Sequence, residues 1–238
     1  MAAGRTFVSC SLVAAYVLVC GPPILVWTLL SRRPGLLYAA GALGVRVGFA
    51  LAGLHLDVRG REHLLPGGAV YVCNHSSNIE APAVFLALKA RFPHVRVLYK
   101  AELRKLPVLV WVFDAAGFVP LERGNQQQSW PAVDRAADAI RAGNSFFIFP
   151  EGTRSRTGAL LPFKKGGFIM ALKAQAPVVP VAVTGGRQAM RKGSLLIWPA
   201  TVRIHFLAPV ETAGLTFDDR EQLVHAVRAA ISAQLPPA

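Results

Sequence analysis

Pro66-Gly67-Gly68-Ala69-Val70-Tyr71-Val72-Cys73-Asn74-His75-Ser76-Ser77-Asn78-Ile79-Glu80 is the stretch on which the fold turns. A Pro-Gly-Gly turn leads into Ala69 to Cys73, a short apolar run that reads as a buried strand. A polar segment follows, and Ile79 to Arg91 then takes up helical periodicity. The same alternation recurs outward along the chain. Val95 to Tyr99 and Ser145 to Phe149 read as strands, with Trp130 to Arg141 between them as an amphipathic helix ended by Gly143. Gly167 to Gln175 is helical and Val178 to Thr184 is a strand. Leu195 to Trp198 and Val202 to Leu207, joined by Pro199-Ala200, read as a late hairpin. Phe217 to Gln234 forms a final helix, capped by Asp218 or Asp219. Strands alternating with helices predict an α/β domain with a mixed, largely parallel sheet flanked by helices. In such sheets, sites collect at the carboxyl ends of strands.

The 238 residues suit one domain of moderate size with room for a further segment. Hydrophobic residues make up 53% of the chain, and the excess is concentrated in its first quarter. The formal charge is +13. A basic chain can bind nucleic acid or an anionic membrane surface, where each nearby Lys or Arg contributes about 1 kcal/mol. The basic residues here are scattered, without a long run or interleaved aromatics, so no nucleic-acid partner is expected. Cys10, Cys20 and Cys73 have no zinc or disulfide spacing and read as small buried hydrophobes.

No charged residue occurs from Phe7 to Leu30, a stretch long enough as a helix to span a bilayer core. Gly21, Pro22 and Pro23 in its middle predict a kink or break. Ser31 to Gly35 is a polar interruption, and a second apolar stretch runs from Leu36 to Leu56 with Arg46 inside it. A kinked span plus a second membrane segment, or a hairpin dipping into one leaflet, both fit. A cleaved signal peptide fits less well, because only Arg5 precedes a long apolar region. Arg32 and Arg33 suit a cytoplasmic flank. The expectation is a hydrophobic helical membrane anchor over residues 1–56, and the α/β domain over 57–238.

Several residues could carry chemistry. His75 follows a strand and precedes a helix, and its unperturbed pKa near 6.5 suits a general base. Glu80, five residues on, could hold the imidazole tautomer, as in a hydrolase triad whose nucleophile is missing. Equally, Ser77-x-x-Glu80 fits a helix capping box and His75 an ordinary loop histidine. Phe149-Pro150-Glu151-Gly152-Thr153-Arg154-Ser155 ends another strand. Gly152 and Thr153 offer donors there, and Arg154 offers a planar fork for phosphate. A surface turn pairing Glu151 with Arg154 is the other reading. Arg123, in Gly117 to Asn125, is either a phosphate ligand or a solvated arginine. Lys100 ends a strand and stands either near a developing oxyanion or on the surface.

In this order the blocks resemble the 1-acyl-sn-glycerol-3-phosphate acyltransferase family, the lysophosphatidic acid acyltransferase or PlsC-like enzymes. That family carries an Asn-His-x4-Asp block, a Lys before Glu-Leu and a later Pro, a block ending in Arg-Gly, a Phe-Pro-Glu-Gly-Thr-Arg-Ser block and a Val-Pro-Val-Ala strand. The counterparts here are Asn74 to Glu80, Lys100 to Pro107, Val119 to Gly124, Phe149 to Ser155 and Val179 to Ala182. Pro162-Phe163-Lys164-Lys165-Gly166 is similar as well. The likeness runs from about Arg61 to Val210. It implies an acyltransferase domain over 57–238, at a membrane, with the bacterial inner membrane and its cytoplasmic side as the expected location. His75 would deprotonate a lysophospholipid hydroxyl, which attacks the thioester of acyl-CoA or acyl carrier protein. Glu80 would orient His75. Arg123, Glu151, Gly152, Thr153 and Arg154 would bind the acceptor's glycerol phosphate. No metal or further cofactor is implied. The product from 1-acylglycerol-3-phosphate would be phosphatidic acid, a step of phospholipid biosynthesis.

Glu80 departs from the family's aspartate. The added methylene moves the carboxylate by about 1 Å, and misplacement on that scale can cost about 100-fold in rate. Another lysolipid acceptor and a non-catalytic lipid-binding protein therefore remain rival readings. A lipid hydrolase finds no Gly-x-Ser-x-Gly elbow to support it.

Overall fold

The computed structural model describes residues 2–121 and 126–236. Its strands are β1 (Leu54–Arg59), β2 (Val70–Cys73), β3 (Val95–Lys100), β4 (Val119–Leu121), β5 (Ser145–Ile148), β6 (Val178–Thr184) and β7 (Ala200–Phe206). They form one sheet in the order β1-β7-β6-β2-β5-β3-β4. Every neighbouring pair is parallel except β6 and β7. The helices are α1 (Ala2–Ser31), α2 (Gly35–Ala52), α3 (Glu80–Ala87), α4 (Pro107–Ala115), α5 (Gln126–Arg141), α6 (Gly166–Ala174), α7 (Gly186–Ala189) and α8 (Arg220–Ser232).

Side-chain alternation along the strands explains the layering. Tyr71, Cys73, Phe147, Val179, Val181 and Val183 point to one face, where they cluster with Ala83 and Val84 of α3 and Tyr38 and Phe49 of α2. Val70, Val72, Phe146, Ile148 and Val178 point to the other, against Val133 and Ala136 of α5, Phe168 of α6 and Leu223, Val227 and Ile231 of α8. The spacing of the last three places one apolar stripe of α8 on the sheet. A strand covered on both faces must be apolar throughout, as Val70–Cys73 is. Burying each large apolar side chain contributes about 1.5–3 kcal/mol.

The N-terminal helices pack as an antiparallel pair through small residues. A Cβ at Gly44 would lie 2.9 Å from the Tyr16 ring, and one at Gly48 would lie 3.0 Å from Val13. The Tyr16 hydroxyl donates to the Ala40 carbonyl at 2.9 Å. Tyr38 ties α2 to the sheet by donating to the carbonyls of Val95 and Ala116. On α1, Phe7, Leu18, Val19 and Leu30 are 72–80% exposed, so this is not the core helix of a water-soluble fold. Both helices are long and apolar enough to cross a membrane.

Six features differ from the sequence reading. Cys10, expected to be a buried hydrophobe, is exposed and Cys20 only half-buried; Cys73 alone is fully buried. Helix α1 runs unbroken through Pro22 and Pro23; only the bonds to the carbonyls of Leu18 and Val19 lose their donors. Leu54 to Leu56, read as the end of an apolar helix, begin β1, because their backbone pairs with Ala200 to Val202. Leu195 to Trp198 form no strand. The Ile197 amide donates to Thr6 Oγ1 and the Trp198 amide to the Ala189 carbonyl, so no hairpin ladder is available. Strand β7 lies between β6 and β1 instead. Asp219 does stand at the N-cap position of α8, but its side chain makes no bond to that helix; it turns back and accepts from the Thr216 amide and hydroxyl, closing a capping box on the Phe217–Asp219 turn.

Candidate active site

Strands β2 and β5 run parallel and adjacent, so the segments that follow them leave the sheet side by side. Two contacts lock the segments together and a third closes the loop after β5 on itself. The His75 amide donates to Glu151 Oε1 at 2.7 Å, the Ser155 amide donates to the His75 carbonyl at 2.7 Å, and the Leu161 amide donates to Glu151 Oε2 at 3.0 Å. On the other side, Asn74 extends the β2–β6 ladder with its side chain. Its Nδ2 donates to the Val183 carbonyl at 2.8 Å, and its Oδ1 accepts from the Val183 amide at 2.7 Å. The backbone of His75 is thereby fixed from both neighbouring strands.

The His75 side chain is fixed as firmly. Its Nδ1 lies 2.9 Å from Glu80 Oε2, which also accepts from the Ser76 amide at 2.7 Å. Glu80 Oε1 accepts from the Ser76 hydroxyl at 2.5 Å. A carboxylate with no solvent exposure needs such partners to stay charged. Because Glu80 accepts at Nδ1, that nitrogen carries the imidazole proton and Nε2 keeps a lone pair. The ring stacks on Phe149 with centroids 4.1 Å apart and lines the cleft. Of the two sequence readings, the geometry is that of the dyad. Ser77 instead donates to the Met190 carbonyl at 2.7 Å, and Glu80 turns to His75 and Ser76 rather than closing a capping box. Behind it, burial, and then the nearby Glu80, push the Cys73 thiol well above its ordinary value.

The cleft measures about 720 Å³. His75, Gly152, Thr153, Arg154, Lys164 and Lys165 line its polar part, and Trp130, Val133, Phe147, Phe163 and Ile169 line an apolar part between α5 and α6. Gly152 sits at φ 67°, and a Cβ there would stand 2.9 Å from Lys164 Cε. Glycine both permits that turn and lets the lysine stem cross it.

Not every expected residue reaches this cleft. Arg123 lies outside the described residues. Lys100 pairs with Glu102 at 3.0 Å, half exposed, and is not part of the cleft wall. Glu151 is 4% exposed and spends both oxygens on backbone amides, so it braces the loops rather than facing a ligand or pairing with Arg154. Burial raises its carboxyl, while the amides of Leu161 and His75 pull the other way. Sequence reasoning assigned no role to Asn74, Ser76 or Lys164. It also missed Lys192, whose Nζ donates to the Arg154 carbonyl at 2.7 Å and to Thr153 Oγ1 at 3.2 Å. The positive charge of Lys164 and Lys192 was legible in the sequence, but their placement was not.

The chain resembles known proteins over most of its length. Residues 55–184 match the acyltransferase family. A 1-acyl-sn-glycerol-3-phosphate acyltransferase of Limnanthes douglasii is 33% identical over 208 residues, covering 86% of this chain and 72% of the relative. One from Cocos nucifera is 33% identical over 190 residues, covering 79% and 60%. The crystal structure of the 1-acyl-sn-glycerophosphate acyltransferase PlsC from Thermotoga maritima superposes with a TM-score of 0.79 over 98% of this chain and 97% of that one. At 22% identity it shows a shared fold. By its matched domain and by relatives that span most of its length, this chain belongs to the acyltransferase family.

Proposed function

We propose that the protein moves a fatty acyl group from a thioester, acyl-CoA or acyl carrier protein, to the free hydroxyl of 1-acylglycerol-3-phosphate, giving phosphatidic acid. The observation that carries this reading is the 2.9 Å His75–Glu80 contact, which leaves Nε2 as a base beside a cationic cleft. His75 Nε2 takes the proton of the acceptor hydroxyl as its oxygen attacks the thioester carbonyl. Glu80 balances the imidazolium that forms. The tetrahedral intermediate then expels the thiolate, which takes the proton from His75, so no acyl group rests on the enzyme.

Phosphate recognition falls to Gly152, Thr153 and Arg154, with Lys164 beside them and Lys192 bracing the loop. Arg123 carries the same role through the family resemblance. The apolar part of the cleft suits a hydrocarbon chain. The reading needs no metal and no cofactor beyond the donor. Helices α1 and α2 hold the α/β domain, which begins with β1 at Leu54, at a membrane, so acceptor and product need not leave the bilayer. A cytoplasmic thioester favours the cytoplasmic side, in a bacterium the inner membrane.

The test is acyl transfer by purified, detergent-solubilised protein, with radiolabelled oleoyl-CoA or oleoyl-acyl carrier protein and a panel of lysolipids. Labelled phosphatidic acid, with an acceptor KM that rises in Arg154→Ala, is expected. Turnover confined to a lysolipid without a terminal phosphate would move the substrate. Failure to acylate any acceptor from either donor would sink the reading.

A further inference from the structure

Glu80 is held by three hydrogen-bond donors and walled on the remaining side by a glycine. Oε2 is taken by His75 Nδ1 and the Ser76 amide, and Oε1 by the Ser76 hydroxyl. The remaining wall is Gly186, the first residue of α7. A Cβ added there would stand 2.6 Å from Oε1, 2.8 Å from Cγ and 3.0 Å from Cδ of Glu80. Real Cβ atoms do not approach heavy atoms that closely.

The conflict could not be relieved by a small shift. The clash reaches Cγ, midway along a fully buried side chain whose carboxylate is tied down. Moving it would lengthen the bond to His75 or strip Ser76 of its acceptor. Nor does the backbone itself require glycine at this position. Gly185 carries the positive φ of 82° that the turn needs, whereas Gly186 lies outside the left-handed region. Alanine suits a helix at Gly186 better than glycine does, so its only strong objection is steric.

We infer that Gly186 is a positioning residue for the reaction: its missing side chain is the space that lets an acid as long as glutamate reach His75. The inference rests on the acyl-transfer reading above. It explains how the extra methylene of Glu80 fits without displacing the carboxylate. It also makes positions 80 and 186 an energetically coupled pair, although 106 positions separate them in the sequence. Residues in direct contact are where double-mutant cycles depart from additivity.

The experiment is a cycle on the full chain in detergent: wild type, G186A, E80D and E80D/G186A, each assayed for kcat and KM with oleoyl-CoA and 1-acylglycerol-3-phosphate, and each melted thermally. G186A should lower kcat on the order of 100-fold with KM nearly unchanged, as expected for a displaced catalytic group. In the E80D background the acid is one methylene shorter and withdraws from residue 186. There the same change should cost at least about tenfold less. Any general loss of stability from G186A would appear in both backgrounds and cancel from the cycle. Equal costs in the two backgrounds, or a G186A kcat within about threefold of wild type, would overturn the inference. A wild type without turnover would instead overturn the acyl-transfer reading, so the two failures are distinct.

Discussion

Replacing Glu80 with glutamine changes a charge while leaving most of the geometry in place. The amide oxygen can accept from His75 Nδ1 and the Ser76 amide as Oε2 does, and the Ser76 hydroxyl can turn to accept from the new NH2 group. What disappears is the attraction between carboxylate and imidazolium. With Nδ1 2.9 Å from Oε2, the charge centres lie about 4 Å apart, which is worth about 4 kcal/mol at an effective dielectric of about 20. If the proton is fully transferred in the transition state, that is about 1,000-fold in rate; if it is half transferred, about 30-fold. Glu80→Gln should therefore lower kcat about 30- to 1,000-fold, with acceptor KM little changed because Glu80 lines no part of the cleft. Initial rates from labelled oleoyl-CoA, with a thermal melt to establish folding, measure both quantities. A folded Glu80→Gln enzyme with kcat within about threefold of wild type would refute the charge-balancing role.

Other perturbations separate bracing from chemistry. In Glu151→Gln an NH2 group must face one of two backbone amides, leaving a donor without an acceptor, so the protein should lose about 1–3 kcal/mol of stability, seen as a lower melting temperature. Its kcat should fall too, because the His75 amide is held by the same carboxylate. Asp219 behaves differently. The Thr216 amide and hydroxyl hold its carboxyl below the ordinary 3.8, so it stabilises the fold above about pH 4, and that contribution is lost as pH falls through the folded value. The melting penalty of Asp219→Asn should accordingly be present at pH 7 and fade in acid; an unchanged penalty at pH 3 would contradict the assignment.

What the sequence revealed followed from how local each signal was. Val70–Cys73 was legible because a strand buried on both faces is a continuous apolar run bounded by a turn. The His75–Glu80 pair was legible because both residues sit on one strand-to-helix turn, although only the geometry separates a dyad from a capping box. Strand β1 was hidden because Leu54 and Leu56 prolong an apolar segment, and their strand character comes from β7, which begins at Ala200. Strand β4 has three residues with a proline among them, too short for any period. Helix α4, Pro107–Ala115, is apolar almost throughout and shows no face. At the site, Glu151 was implied as a ligand residue by the family resemblance, while its own motif offered a pair with Arg154. Its inward turn depends on the amides of His75 and Leu161, which sequence proximity cannot reveal. Asn74 and Lys192 likewise act across 109 and 38 or 39 positions.

The most direct test of the account compares wild type with His75→Ala in the purified, detergent-solubilised state, offered oleoyl-CoA and 1-acylglycerol-3-phosphate. The account predicts phosphatidic acid from the wild type and a loss of about 100- to 10,000-fold in kcat for the variant, assayed below the temperature at which its own thermal melt begins. Turnover by His75→Ala at the wild-type rate would contradict it.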